Sequence, residues 1–154
     1  VEALMICPDS IRIVWTHFGT GTQMETISNM AEQLPRNVFA DLRGEVPNAK
    51  VLEHYEKEPV DLLLNVSSSE GVPVSIMEGF SFGVPCVATD VGATREIVGQ
   101  DNGYLLGPNP NSEEILDAIL KLRPGSEFVS KLKSGAMKSW EKKFNRSWKC
   151  IWTS

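Results

Sequence analysis

The chain has 154 residues, of which 42% are hydrophobic and 23% charged, and its formal net charge is −5. These proportions are close to the globular average and indicate one soluble domain with an ordinary core. No run of about 18 apolar residues could span a bilayer, and the first ten residues lack the basic start and long apolar stretch of a signal peptide.

Five short apolar runs predict the strands of the domain. The first, third and fourth runs are nearly continuous in apolar residues, which is typical of parallel strands covered on both faces. We therefore expect buried strands with helices between them. The predicted strands span residues 11–18, 38–42, 61–66, 85–89 and 104–106.

Helical spacing of apolar residues predicts a helix after each strand. Pro47 and Asn48 favour one helix start, and Ser112, followed by Glu113 and Glu114, is predicted to open another. This alternation predicts an α/β fold, a Rossmann-like three-layer α/β/α architecture with a mainly parallel sheet, whose ligands bind at the carboxyl ends of the strands. The predicted helices span residues 22–34, 48–56, 74–82, 93–98 and 112–122, and residues 1–7 resemble the last turns of a further helix.

The charge is concentrated in two parts of the chain. Residues 1–130 hold 8 basic and 19 acidic side chains, a balance of −11, whereas residues 131–154 hold 7 basic and 1 acidic, a balance of +6. An acidic body argues against nucleic-acid binding. The basic tail lies in a predicted helical segment over residues 127–154, whose aromatic side chains form one stripe. These are Trp140, Phe144, Trp148 and Trp152.

The three cysteines indicate a reduced, cytoplasmic protein without a metal site. Cys7, Cys86 and Cys150 lie tens of residues apart, with no Cys-x-x-Cys pair and no histidine at zinc-ligand spacing. We therefore predict no zinc site.

A small-residue turn follows the first predicted strand. Gly19 and Gly21 would let backbone N–H groups approach a phosphate at the start of a helix. Met24 stands where a dinucleotide-binding loop has its third glycine, although Asp41 lies where a ribose-binding acid is expected. One hypothesis is thus an NAD- or nucleotide-binding module without transferase activity. The alternative is an ordinary tight turn.

Two carboxylates flank a junction of strand, loop and helix. Glu70 lies in the loop and Glu78 inside the following helix. Ionised carboxylates accept charge-assisted hydrogen bonds from vicinal hydroxyls, and loop amides from Gly71 onward could face a phosphate, so the junction suits a sugar nucleotide. The alternative is structural, with Glu70 capping the helix and Glu78 on its solvated side.

The segment EGVPVSIME at 70–78, followed by GFSFGVPCVATDVGATREIV at 79–98, closely resembles the carboxyl-terminal domain of glycosyltransferase family 4. Further matching segments are WTHFGTG at 15–21, LRGEVPN at 42–48, VDLLLNVSSSEG at 60–71 and NGYLLG at 102–107. Members of this family are retaining enzymes of the GT-B fold. The resemblance implies that no bound metal and no cofactor is needed, and the sequence agrees in having no Asp-x-Asp motif.

The resemblance implies a donor site built at the predicted strand ends. Glu78 would bind the ribose hydroxyls of the nucleotide, and Glu70, the catalytic-site residue, would contact the donor sugar. The remaining candidates act through backbone groups near the sugar, the diphosphate or the base. These are Gly71, Val72, Pro73 and Val74, then Gly44 and Val46, with Gly19 and Gly21 lining the same cleft.

The resemblance also implies the organisation of the protein. We expect one donor-binding domain fragment, with a Rossmann-like core over 1–126 that lacks its first strand and a helical segment over 127–154. The expected partners are a nucleotide-sugar donor, a glycan or lipid-linked acceptor and an absent amino-terminal acceptor domain, without which the fragment should be inactive. The last helix would pack on that domain or contact the inner face of a membrane. A sugar-nucleotide epimerase is an alternative within the same fold.

Overall fold

A computed structural model describes residues 1–69, 71 and 73–143. Each predicted strand and helix is present, so the predicted alternation is confirmed, with ends that shift by a few residues. The elements are α1 Glu2–Met5, β1 Ile13–Phe18, α2 Met24–Ala31, β2 Val38–Gly44, α3 Asn48–Lys57, β3 Leu63–Asn65, α4 Val74–Ser81, β4 Cys86–Thr89, α5 Thr94–Ile97, β5 Gly103–Leu106, α6 Ser112–Lys121 and α7 Glu127–Lys143.

The strands are parallel and form two ladders. β1 pairs with β2, and β4 lies between β3 and β5. Helix α6 connects the two halves, because Ile115 packs against the cluster around Ala3 and Val38 and also against the cluster around Val87 and Leu106. Parallel pairing places the carboxyl ends of the strands at the same edge within each ladder.

Burial differs sharply between the two ladders. Cys86, Val87 and Ala88 of β4 are completely buried, as predicted for that strand. The same prediction for β1 is wrong, since the side chain of Val14 is 64% exposed and its partner across the ladder, Phe39, is 48% exposed. The two side chains lie on the same face of the β1–β2 ladder, which is therefore largely uncovered, whereas every residue of β4 is buried.

Helix α7 belongs to the core of this domain. Its buried residues Val129, Leu132 and Ala136 face inward, and α7 packs along α4. Trp140 packs against the cluster that contains Phe80. The first member of the predicted aromatic stripe is thus used inside the domain, whereas Phe144, Trp148 and Trp152 lie outside the described residues. No helix in the described ranges is long and apolar enough to cross a bilayer.

Candidate functional site

The ends of β1 and β2 bring two predicted site residues together. The backbone N–H of Gly19, directly after β1, donates to the carbonyl of Gly44, the last residue of β2, over 2.7 Å. Both residues have positive φ values, 123° and 66°, which glycine adopts without steric cost. Gly21 begins the next turn, where its carbonyl accepts from the N–H of Met24 at 3.0 Å, and Val46 follows Gly44 in the loop before α3.

Glu78 reaches the same region from α4. The side-chain amide of Asn48, the first residue of α3, donates from Nδ2 to Glu78 Oε1 over 2.7 Å. Burial, followed by the negative charge of Glu78, raises the pKa of Tyr55 to about 12. The Glu78 side chain is half-buried between α3 and α4. A tertiary hydrogen bond thus holds the Glu78 side chain, whereas the structural alternative predicted only that it lies on the solvated side of its helix.

The loop before α4 places further candidates beside these residues. Pro73 is buried, and its carbonyl accepts from the backbone N–H groups of Ile76 and Met77 at 3.1 and 3.3 Å. Val74, the first residue of α4, is 46% exposed. The predicted Gly71 is exposed.

Two predicted residues of that loop, Glu70 and Val72, lie outside the described residues. Their predicted contacts with the donor therefore stay predictions.

A shallow cavity opens at the carboxyl ends of β3, β4 and β5, with a volume of about 300 Å³. Thr89 at the end of β4 donates from Oγ1 to the carbonyl of Ser67 over 2.5 Å, which ties the loop after β3 to the neighbouring strand. Sequence reasoning did not select this lining, although every lining residue except Ile115 of α6 lies at a strand end or in the loop that follows one. The lining residues are Val66, Ser67, Ser68, Thr89, Pro108, Asn109, Pro110 and Ile115.

The cation nearest the Gly44 turn is already paired. Arg43 Nε donates to Asp41 Oδ2 at 2.7 Å, and the Arg43 Nη1 atom lies 3.3 Å from His54 Nδ1. Burial, and then the Arg43 charge, lowers the pKa of His54. The Phe18 ring meets the His54 ring edge-on at 5.2 Å, as expected for a structural histidine. Among the described residues, no three His, Cys, Asp or Glu side chains are placed to hold a metal ion.

Comparison with known proteins agrees with the resemblance inferred from sequence. The family model described as "Glycosyl transferases group 1" matches residues 6–139. The chain belongs to this family. The matched range includes every candidate site residue that the structure describes. Over 107 residues, 68% of the chain, this group 1 glycosyltransferase domain is 30% identical to an exopolysaccharide phosphotransferase of Streptomyces coelicolor.

Solved structures of other glycosyltransferases share the fold of this domain. The C-terminal domain of LpcC, a group 1 family protein of Francisella tularensis, superposes with a TM-score of 0.56 at 18% identity, covering 93% of this chain and 97% of that one. HepE of Anabaena, solved in complex with UDP-glucose, gives a TM-score of 0.71 at 21% identity, covering 93% of this chain and 39% of HepE. The architecture is that of the C-terminal, Rossmann-like half of GT-B glycosyltransferases.

The group 1 domain described here is a small part of these relatives. It spans 11% of the Streptomyces coelicolor phosphotransferase and 39% of HepE.

Proposed function

We propose that this domain binds the donor of a retaining glycosyltransferase, which transfers a sugar from a nucleoside diphosphate to a glycan or lipid-linked acceptor. The observation that carries the proposal is the position of Glu78. Its carboxylate is held by Asn48 at the end of the loop that contains Gly44 and Val46. Membership of the group 1 family, together with the UDP-glucose complex of HepE, supports a nucleotide sugar as the ligand.

Each candidate residue takes a role that suits its chemistry. The Glu78 carboxylate accepts hydrogen bonds from the ribose hydroxyls, each contributing roughly 1.5 to 3 kcal/mol. The turns at Gly19 and Gly44 leave room for a flat base, since a Cβ built on either glycine meets no atom within 4 Å. Val46 borders the base and Gly21 lines the cleft.

The loop before α4 binds the sugar and diphosphate of the donor. The backbone N–H groups of Gly71, Val72 and Val74 lie beside the diphosphate at the positive end of α4, and Pro73 offers its carbonyl. Glu70 contacts the donor sugar. No cofactor or metal has a role in this scheme.

Catalysis in this half rests on orientation and charge stabilisation. When the sugar–phosphate bond breaks with retention, negative charge develops on the departing diphosphate, which can itself lie beside the attacking hydroxyl. Backbone N–H groups directed at that diphosphate stabilise the charge. Hydrogen bonds from the ribose and sugar hydroxyls to the carboxylates of Glu78 and Glu70 keep the reacting atoms oriented. The acceptor site is expected outside this domain, so the domain alone should not transfer sugar.

The cellular setting follows from the proposed reaction. We propose a cytoplasmic enzyme of polysaccharide synthesis, where nucleotide sugars are available, and the exopolysaccharide relative supports a glycan product. The exposed side chains Lys131, Lys138 and Lys142 continue along α7 toward the basic tail. They support contact with another domain or with an anionic membrane at its inner face. Cosedimentation with anionic vesicles that is lost in high salt would favour the membrane.

An NAD-binding module is the second candidate function, and one observation weighs against it. The Asp41 carboxylate, which would bind the ribose of a dinucleotide, already accepts a hydrogen bond from Arg43. This ion pair with Arg43 partly neutralises the carboxylate and occupies one of its two oxygens. Glu78 has a neutral partner and keeps its charge for a ligand.

Nucleotide titration followed by NMR tests the proposal. UDP, GDP, ADP and NAD are added to the 154-residue chain, to Glu78→Gln and to the matched control Glu56→Gln, which alters an exposed carboxylate of α3. We expect one nucleoside diphosphate to shift amides near Gly44 and Glu78, with about tenfold weaker binding to Glu78→Gln and unchanged binding to the control. Shifts with NAD alone, centred on Gly19 and Asp41, would refute the donor site.

A further inference from the structure

We propose that Asn48 is a positioning residue that holds the Glu78 carboxylate for the two ribose hydroxyls of the nucleotide. This inference rests on the proposed donor function and assigns a role to a residue outside the donor motif. The hydrogen bond between Asn48 Nδ2 and Glu78 Oε1 measures 2.7 Å. It joins α3 to α4 through two residues that are 30 positions apart in the sequence.

The first argument is the position of Asn48 at the start of α3. Pro47 occupies the cap position of this helix and makes no side-chain cap hydrogen bond, and Asn48 is the first helical residue. The Asn48 side chain donates from Nδ2 to Glu78, so this hydrogen bond serves a neighbouring helix and not α3 itself.

The second argument is that a second contact holds α3 against α4. Tyr55 lies two helical turns after Asn48 on the same face of α3. Its ring stacks on Phe82 at the end of α4 with the centroids 5.6 Å apart. Its hydroxyl lies 3.8 Å from the position that a Cβ on Gly79 would take. Asn48 and Tyr55 therefore attach α3 to α4 at two points, which limits rotation of either helix.

The third argument concerns the chemistry of the contact. An amide is a neutral donor, so it orients the carboxylate without neutralising it, whereas a lysine or arginine would compete for its charge. The bond engages Oε1 and leaves Oε2, together with the second lone pair of Oε1, to accept from the vicinal hydroxyls. A glutamate side chain with frozen rotamers loses less entropy when the ribose binds.

The fourth argument is that Asn48 links two parts of the site. It follows directly on the loop from Gly44 to Pro47, which borders the base in the proposed function. One hydrogen bond therefore joins the loop at the base to the carboxylate at the ribose. Loss of the Asn48 amide should weaken ribose recognition specifically, because the stacking surface for the base is made elsewhere.

Paired nucleotides separate this role from a general structural one. Dissociation constants are measured for UDP and 2′,3′-dideoxy-UDP, and likewise for the GDP and ADP pairs. The chains compared are the unaltered one, Asn48→Ala and the control Asn29→Ala on the distant α2. We expect Asn48→Ala to weaken binding of the ribonucleotide about tenfold and binding of the dideoxynucleotide less than twofold. Equal weakening of both nucleotides would overturn the positioning role.

A double substitution and an isosteric variant complete the experiment. Asn48→Ala combined with Glu78→Gln should bind UDP no more weakly than Glu78→Gln alone, and additive losses would contradict coupling between the two side chains. Asn48→Asp keeps the size of Asn48 and its preference for a helix start, but it places a second negative charge beside Glu78. It should lose at least as much ribose preference as Asn48→Ala. If Glu78→Gln binds the ribonucleotides as tightly as the unaltered chain, the proposed donor site is refuted. If only the Asn48 variants bind them as tightly as the unaltered chain, the positioning role alone is refuted.

Discussion

Asp101 and Gly135 are in direct backbone contact, since a Cβ built at position 135 would lie 1.8 Å from the carbonyl oxygen of Asp101. The neighbouring Asn102 is buried and donates from Nδ2 to the carbonyl of Ile97 and to Oγ of Ser139, both at 3.0 Å. Helix α7 is therefore fixed to the loop before β5 by a close approach and by a buried hydrogen bond. Because α7 also packs along α4, this contact helps to fix the helix that carries Glu78.

The substitution Gly135→Ala should lower the free energy of unfolding by at least about 2 kcal/mol, because the new methyl group would displace α7 from a backbone that cannot move aside. Urea denaturation of both chains measures this difference. Gly99→Ala is the matched control, since a Cβ at position 99 meets no atom within 4 Å. A Gly135→Ala chain as stable as the original would contradict the close approach.

The start of α6 offers a second stability test. The helix is capped by Asn111, whose side chain accepts from the backbone N–H of Glu114 while the Glu114 carboxylate accepts from the N–H of Asn111. We expect Asn111→Ala to lower the free energy of unfolding by about 1 kcal/mol. Ser112→Ala should change it by less than half as much, because Ser112 lies inside the helix. Thermal or urea denaturation checks both values, and the reverse order would favour Ser112 as the cap.

The position of this cap illustrates how far the sequence could be interpreted. The prediction that the helix opens at Ser112 is confirmed, but serine and asparagine are both good caps, and Asn111 was not selected from the sequence as the residue that caps it. The strands and helices themselves were predictable because local periodicity determines them. The apolar pattern of β1 wrongly predicted complete burial, since burial depends on which elements cover each face of the ladder.

The candidate site was predictable only in part, for a similar reason. Glu78 and the glycine turns carry recognisable local patterns. The bond from Asn48 to Glu78, and the cavity wall formed by Thr89, depend on which elements the fold brings together. No local pattern encodes contacts between residues more than 20 positions apart, so these were found only in the structure.

His54 should titrate below its ordinary range, because burial and the Arg43 cation disfavour its protonated form. The unfolded chain then takes up this proton more readily, so stability should fall as the pH drops below about 6.5. Replacing Arg43 by Gln should raise the pKa of His54, as followed by the ring proton resonances. Glu58→Gln should lower it further, because Glu58 favours the charged form, and shifts of the same sign in both variants would refute this account.

Thr89 should contribute both to the stability of the domain and to the order of the loop after β3. Its side chain is buried, and its hydroxyl donates to the carbonyl of Ser67 in the loop that leads from β3 toward α4. Thr89→Val keeps the shape but removes this donor, so we expect a loss of about 1 kcal/mol in unfolding free energy. Hydrogen exchange at residues 66–69 should become faster by a larger factor than exchange in β4. The loop loses the hydrogen bond from Thr89, whereas β4 keeps its backbone hydrogen bonds to β3 and β5. Thr89→Ser keeps the hydroxyl and should leave the loop slow to exchange. Equal exchange rates in Thr89→Val and Thr89→Ser would show that the hydroxyl does not hold the loop.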